Sequence, residues 1–214
     1  MLGIREDAMV GAASHPPRIF VTGAIAAGKS FVRETLRDTL FQVGLPVRSL
    51  ELEDTFADLF PAHETDPNYS YLDDGNLVLH VPHLQIPRAI AELGRRCAEA
   101  AQQTGFVVEF GAKDLESSFA FFDEKLLAGA HIFHVHAPRR ERVLRNLRRP
   151  EGPVLAERID YYPQNLDASI HAHLKALGSR YIPVVNDGSP EHLASIVKAL
   201  ALRFVAPAQL ELSP

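Results

Sequence analysis

The stretch Gly23-Ala24-Ile25-Ala26-Ala27-Gly28-Lys29-Ser30 combines residue types that can bind the phosphate groups of a nucleotide. Glycines near its two ends let the backbone turn its N–H groups toward one anion, and the small residues between them leave room. Lys29 can reach the β- and γ-phosphates of ATP, and the Ser30 hydroxyl can coordinate Mg²⁺. The apolar residues Ile19–Val21 before the stretch and the helical periodicity after it match the strand–loop–helix context of such a loop. We therefore predict an ATP and Mg²⁺ site at residues 23–30; a Gly- and Ala-rich helix start that binds nothing would leave the Lys-Ser pair unexplained.

Acidic residues lie at the end of the second predicted strand, residues 47–52, and just after it. Open α/β sheets bind ligands outside the carboxyl ends of their strands, so these acids are well placed for chemistry. Alternation along the strand predicts that Glu51 and Glu53 share one side. Either Glu53 or Asp54 can accept the proton of an attacking hydroxyl or hold a magnesium-bound water. Alternatively, Asp54 caps a helix that starts at Thr55.

A second acid, Glu109, closes the apolar run Phe106–Phe110 of the third predicted strand. An acid at the end of a buried strand is costly unless it has a partner, which favours a functional role. In phosphate-loop proteins an acid at this position orients Mg²⁺ or its waters. Asp114, shortly after, is predicted to cap the next helix.

Residues 137–150 carry six arginines in a chain whose net charge is −5. Three of them share one helical face by i, i+3, i+7 spacing: Arg142, Arg145 and Arg149. The apolar residues lie on another face: Val143, Leu144 and Leu147. Guanidinium groups bind phosphates in a bidentate manner and can neutralise charge while a phosphoryl group moves. Because Pro150–Pro153 follows, we predict a lid over residues 138–160, with a solvated basic face as the alternative for some of the six.

The segment 61–87 is rich in Pro, Asp and Gly and has no periodicity, as in many binding loops and lids. We predict an acceptor-binding segment over residues 53–88. Four side chains of the irregular stretch are candidates to line a substrate site or to be ordinary anchors of a solvated loop: Tyr69, Tyr71, His80 and His83. Pro87 suits the first position of a helix that ends at Gly105. Arg88, near the start of that helix, is predicted either to contact an acceptor phosphate or to lie on the solvated surface.

Cys97 and three histidines have types that could do chemistry, but their positions favour packing. Cys97 lies on the apolar stripe of its predicted helix and is expected in the core. His131, His134 and His136 alternate along a predicted interior strand without further ligands nearby, so we expect packed or hydrogen-bonded side chains rather than a metal site. Of the three, His136 is the best placed to face the active site.

Composition fits one medium α/β domain of an ordinary globular protein, with 214 residues, 46% hydrophobic and 23% charged. The negative net charge argues against a nucleic-acid partner, and no apolar run has the length of a membrane span. A single cysteine excludes an internal disulfide and suits the reducing cytoplasm. The sequence leaves a homodimer open. We predict one domain over residues 18–206 between two tails, 1–17 and 207–214.

Five predicted strands alternate with helices, which indicates an α/β fold with a parallel sheet. The strands are residues 18–22, 47–52, 106–110, 131–136 and 181–185, and one helix is predicted through Leu115, Phe119, Phe122 and Leu126.

The assembled motifs resemble the small-molecule and nucleotide kinases of the phosphate-loop superfamily, and within it the dephospho-coenzyme A kinases. The matching pieces are Thr22–Ser30, the Arg142…Arg145…Arg149 lid entry, Glu157-Arg158-Ile159 and Val184–Ser189. The resemblance implies a three-layer P-loop NTPase fold with strand order 2-3-1-4-5 and helices on both faces. It further implies that adenine lies near the Asn186-Asp187-Gly188 loop, with the lid arginines over the phosphates. Where this family is expected to carry Asp after its second strand, the chain has Glu51-Leu52-Glu53-Asp54.

Taken together, these features predict an ATP- and Mg²⁺-dependent kinase of a small metabolite or nucleotide, such as a nucleoside, a nucleotide or a dephospho-coenzyme A-like acceptor. The alternative is a nucleotide-binding module or NTPase that transfers nothing to a small molecule. A guanine-specific switch is disfavoured, because its expected Asp-x-x-Gly and Asn-Lys-x-Asp motifs are replaced by Glu109–Ala112 and Asn186–Ser189.

Overall fold

The computed structural model describes most of the chain between residues 16 and 203. The described ranges are 16–60, 69–71, 77–79, 82–111, 114–149, 153, 159–160 and 168–203. The predicted C-terminal tail, most of the N-terminal tail and much of the predicted lid lie outside these residues.

Seven strands and eight helices occur in the described residues. The strands are β1 (Arg18–Gly23), β2 (Arg48–Glu51), β3 (Tyr69–Tyr71), β4 (Leu77–Leu79), β5 (Phe106–Glu109), β6 (His131–His136) and β7 (Arg180–Val185). The helices are α1 (Lys29–Gln42), α2 (Leu52–Leu59), α3 (Pro82–Ala101), α4 (Leu115–Phe119), α5 (Glu124–Leu127), α6 (Arg139–Leu147), α7 (Ala168–Ala176) and α8 (Pro190–Leu202). None of the helices described is both long enough and apolar enough to cross a membrane.

Five strands form a parallel sheet in the order β2-β5-β1-β6-β7, which confirms the predicted order 2-3-1-4-5. The register pairs Val21 of β1 with Glu109 of β5 and with Phe133 of β6. Because all five strands run the same way, their carboxyl ends meet at one edge, where the loop after β1 lies. The two short strands β3 and β4 form a separate antiparallel pair inside the segment predicted to be irregular.

Two apolar cores cover the two faces of this sheet. On one face, Phe20 packs edge-on against Phe106 and Phe122, with ring centroids 5.3 and 5.1 Å away, and Cys97 is fully buried in the same core. On the other face, α1 packs over β1 and β5 and α8 packs beside it near β7, through apolar residues such as Leu36 and Val197. Cys97 is therefore a core residue, as predicted, and burial raises the pKa of its thiol.

Three helix boundaries differ from the sequence prediction. Helix α3 starts at Pro82 rather than at Pro87, because Pro82 takes the first helical position, where a missing N–H has no cost; Pro87 then lies inside the helix. The single helix predicted from Leu115 to Leu126 is two short helices, since Asp123 accepts a hydrogen bond from Lys125 N at 2.8 Å and starts α5.

Helix α2 begins directly after β2, at Leu52 rather than at Thr55. Glu53 therefore belongs to a helix, and the predicted strand alternation of Glu51 and Glu53 is wrong. Asp54 lies in the first turn and does not cap the helix, because Glu51 occupies the cap position without a side-chain bond. The predicted cap at Asp114 is confirmed, since its carboxylate accepts from Ser117 N at 3.0 Å.

Candidate active site

The loop between β1 and α1 adopts a turn that needs its glycines. Gly23 has φ +143°, and a Cβ there would lie 2.2 Å from the carbonyl oxygen of Val135. Gly28 has φ +100° and precedes the first residue of α1, where no side chain caps the helix. Ala26, with φ +58°, is the sole non-glycine residue with a positive φ in the described ranges. Such backbone strain is retained at ligand sites, and an uncapped helix start presents its N–H groups to an anion.

Lys29 is held over this loop by the donation of its Nζ to Ala24 O at 3.2 Å. Burial lowers the pKa of Lys29, while nearby Glu109 and Glu53 raise it and Arg149 lowers it. Lys29 is therefore within electrostatic range of Glu109, Glu53 and Arg149. The structure thus brings together Lys29, Glu109, Glu53 and Arg149, which the sequence predicted to share one site.

Ser30 and Glu109 meet at the same edge of the sheet. Ser30 Oγ donates to Glu109 Oε1 at 3.1 Å, and the side chain of Glu109 is 13% exposed. Its other oxygen, Oε2, is buried and accepts no hydrogen bond from any residue in the described ranges. Burial raises the pKa of Glu109, and nearby Lys29 and Arg33 lower it.

This pair suits Mg²⁺, because a hydroxyl and a carboxylate oxygen without a donor are the hard ligands that this ion prefers. Among the residues described, no three His, Cys, Asp or Glu side chains form a group that could hold a metal alone. A bound Mg²⁺ would therefore take its other ligands from phosphate oxygens and water, as is usual for this ion at nucleotides.

Sequence reasoning missed the side chain that joins two of these strands, Arg33. Its Nη1 forms an ion pair with Glu51, and its Nε lies 3.5 Å from Glu109 Oε2. Burial raises the pKa of Glu51 to about 7. The charge of Arg33 opposes this rise, and the charge of Asp54 adds to it. Arg33 follows Ser30 by three residues in α1, so helical spacing was the available signal that it faces the same way.

Glu53 and Asp54 lie exposed in the first turn of α2, directly after β2. Thr55 next to them is buried, and its hydroxyl donates to Glu51 O at 3.0 Å. The structure leaves both candidate carboxylates accessible to a ligand, and it does not distinguish between them.

Asn186 and Arg145 bind the phosphate loop from the side of β7. Asn186 Nδ2 donates to Ala27 O at 2.7 Å, and Arg145 Nη2 donates to Asn186 Oδ1 and O at 3.0 and 3.2 Å. Arg145 Nη1 also reaches Ala27 O at 3.5 Å. A Cβ on Gly28 would lie 2.4 Å from Asn186 Nδ2, so this contact requires glycine at that position. Both side chains thus contact the loop that would bind phosphate.

The other residues of the predicted adenine loop are more exposed than Asn186. Asp187 and Gly188 are exposed, and Ser189 caps α8 by accepting from His192 N at 3.3 Å. Asn186, by contrast, is buried. The Asn186 side chain supports the backbone of the phosphate loop, whereas Asp187 and Gly188 are accessible to the adenine base of a nucleotide.

Arg142 does not lie at the phosphate loop. It is fully buried, and its guanidinium donates to Ile159 O and to Asp160 Oδ1, the latter at 3.0 Å. The predicted contact of Arg142 with a transferring phosphoryl group is therefore not supported. Arg149, at the end of the α6 segment, is half-buried and acts electrostatically on Lys29.

The predicted arginine face of α6 turns inward, and its leucines turn outward. Leu144 is 37% exposed and Leu147 64%, whereas Arg142 and Asn146 are buried. Polar contacts to the segments that follow thus orient this helix more than its apolar residues do.

Arg88 lies exposed on α3 with its guanidinium 5.3 Å from the ring centroid of Phe60. It forms no ion pair with any residue in the described part of the chain. The other acceptor-site candidates lie outside the described part of the structure: His80 and the side chains of Tyr69, Tyr71 and His83.

The three strand histidines lie on β6 at different depths. His134 is buried with its ring 6.1 Å from that of Tyr181, and His131 and His136 are half-buried.

No family model matches the chain, and no curated protein matches it. Solved structures do match its fold. A gluconokinase from Sinorhizobium meliloti 1021 has 15% identity and a TM-score of 0.56, and the match covers 93% of this chain and 99% of that one. Shikimate kinase from Acinetobacter baumannii in complex with shikimate has 14% identity and a TM-score of 0.53, covering 88% and 94%.

A third match is the APS kinase of Mycobacterium tuberculosis in complex with AMPPNP and APS, with 14% identity, a TM-score of 0.53 and coverage of 88% and 99%. This chain has the P-loop kinase fold. The predicted three-layer architecture is thereby confirmed, and the likeness shows the fold alone.

Proposed function

We propose that the protein is an ATP- and Mg²⁺-dependent kinase that transfers the γ-phosphoryl group to a hydroxyl of a small metabolite or nucleotide. The observation that carries this proposal is the arrangement at the end of β1 and β5. Lys29 is held over a loop with an uncapped helix start, and Ser30 is bonded to a carboxylate whose second oxygen accepts no hydrogen bond in the described ranges.

In this proposal the loop N–H groups and Lys29 bind the β- and γ-phosphates and keep the terminal group in place. The acceptor hydroxyl oxygen forms a new bond to the γ-phosphorus while the bond between that phosphorus and the ADP oxygen breaks. The hydroxyl proton passes to a carboxylate, with Glu53 and Asp54 as the two exposed candidates after β2. When bound at Ser30 and Glu109, Mg²⁺ would neutralise charge on the phosphate oxygens.

The arginines divide into two roles. Arg145 orders the phosphate loop, because its guanidinium is bonded to Asn186 and Ala27. Arg149 is the better candidate to stabilise the transferring group, since its charge already acts on Lys29. Arg142 has a supporting role, because it holds residues 159–160 against α6.

For the acceptor we propose a small molecule with an anionic group. Arg88 offers an exposed guanidinium fixed on an aromatic ring, and such a group suits a carboxylate or phosphate. The fold neighbours named above include kinases of shikimate, gluconate and APS, and the sequence resemblance adds nucleosides, nucleotides and dephospho-coenzyme A.

A panel of acceptors incubated with ATP and Mg²⁺, read by ADP release and product mass, tests the proposal. We expect one acceptor to give a phosphorylated product, with that activity lost in Lys29→Ala and kept in Lys198→Ala, an exposed lysine on α8. ATP binding without transfer to any acceptor would favour the nucleotide-binding module instead.

A further inference from the structure

Arg33 lies between two carboxylates that end neighbouring strands. Its side chain is 12% exposed, and those of Glu51 and Glu109 are 21% and 13% exposed. The guanidinium forms an ion pair with Glu51 and lies 3.5 Å from Glu109 Oε2, so a single cation bridges the ends of β2 and β5.

The two acids are brought together by the register of the sheet. Glu51 pairs directly with Glu109, and neighbouring strands lie about 4.8 Å apart. Both side chains contact α1, where Arg33 and Ser30 lie. Two half-buried carboxylates at this spacing would repel each other without a cation, and their oxygens are the ligands that divalent ions prefer.

Arg33 supplies that cation from the protein itself. With Lys29 nearby, two positive side chains face the two carboxylates that end β2 and β5, and three exposed acids lie around them: Glu34, which is 3.6 Å from Arg33, and Glu53 and Asp54. A divalent ion approaching the protein alone would therefore meet the positive charge of Arg33 between Glu51 and Glu109, whereas one approaching with a nucleotide brings phosphate oxygens with it.

We propose that Arg33 is a positioning residue that fixes Glu51 and Glu109 and fills, with its own charge, the place that a divalent cation would otherwise take between them. The protein without nucleotide then binds Mg²⁺ weakly, and the metal arrives with the nucleotide at Ser30 and Glu109. Binding of Mg²⁺ together with the nucleotide rests on the proposed function. The role of Arg33 as the cation between Glu51 and Glu109 does not.

The test measures Mn²⁺ binding by electron paramagnetic resonance in the absence of nucleotide, with the full chain. We expect Arg33→Gln to bind Mn²⁺ at least about tenfold more tightly than the unmodified protein, because the substitution removes the positive charge that lies next to both carboxylates. Arg37→Gln is the matched control, since it removes the same charge one turn later on α1, where Arg37 pairs with exposed Asp38. Adding Glu51→Gln to Arg33→Gln should abolish the gain.

A gain in affinity cannot arise from simple misfolding, so the direction of the effect separates this role from a purely structural one. A folded Arg33→Gln variant with unchanged Mn²⁺ affinity would overturn the proposal. Arg33→Lys covers the case in which Arg33→Gln does not fold. A lysine can pair with only one of the two acids at a time, so we expect an intermediate gain in Mn²⁺ affinity. An Arg33→Lys variant without any gain would contradict the proposal. Because no nucleotide is present, the result does not depend on kinase activity.

Discussion

Asn186→Ala removes the side chain that joins the phosphate loop to the β7–α8 connection. The amide of Asn186 makes two buried hydrogen bonds, 2.7 Å to Ala27 O and 3.0 Å from Arg145 Nη2. Alanine leaves the Ala27 carbonyl with one long contact, 3.5 Å from Arg145, and leaves Arg145 with the backbone carbonyl of residue 186.

The expected loss follows from these partial replacements. Each of the two hydrogen bonds contributes about 1 kcal/mol net, so the free energy of unfolding should fall by about 2 kcal/mol. The loss is not larger, because each partner keeps one weaker contact. We expect about 1.4 kcal/mol of this cost to fall on the loop conformation that binds phosphate. ATP affinity should then fall about tenfold.

Urea denaturation and calorimetric titration with ATP and Mg²⁺ measure the two effects on the same samples. The matched control is Gln103→Ala, which removes an exposed amide at the end of α3 and should change neither quantity. An Asn186→Ala variant with unchanged stability and unchanged ATP affinity would refute the view that this amide holds the loop.

Two further predictions concern buried charge. Arg142→Ala should lower the free energy of unfolding by about 3 kcal/mol, because it empties a fully buried site and removes the donors to Ile159 and Asp160. In the same urea titration Asp160→Asn, which keeps an acceptor, should have a much smaller effect. His131 should make stability depend on pH, since burial and then Arg180 lower the pKa of His131 to about 4. The folded state favours the neutral ring, so stability is full above the ordinary pKa near 6.5 and falls by about 3 kcal/mol as pH drops toward 4, at about 1.4 kcal/mol per pH unit. His131→Asn should flatten this slope in denaturation curves, and an unchanged slope would exclude the residue as its source.

The fold could be predicted because each strand of the parallel sheet, and the phosphate loop, is specified by a short run of contiguous residues. The β1 strand and the loop that follows it are contiguous, and the apolar run ending at Glu109 marks β5 without knowledge of other segments. Helix starts were harder, since Pro82 and Pro87 both suit a first turn and the local sequence does not choose between them.

The ion pairs of the site could not be predicted in the same way. Arg33 meets Glu51 and Glu109 only because the register of β2 against β5 brings two distant acids together. Arg142 was misplaced for a related reason. Its buried guanidinium contacts Asp160, at the far end of the segment predicted to be a lid, and helical periodicity alone gives no information on that contact.

The most direct test of the central claim is calorimetric titration of the protein with ATP in the presence of Mg²⁺, comparing Lys29→Ala with Lys198→Ala. We predict one binding site in the unmodified protein, affinity lowered at least about tenfold by Lys29→Ala, and no change in Lys198→Ala. An unmodified protein that does not bind ATP, or a Lys29→Ala variant that binds it equally well, would contradict the account.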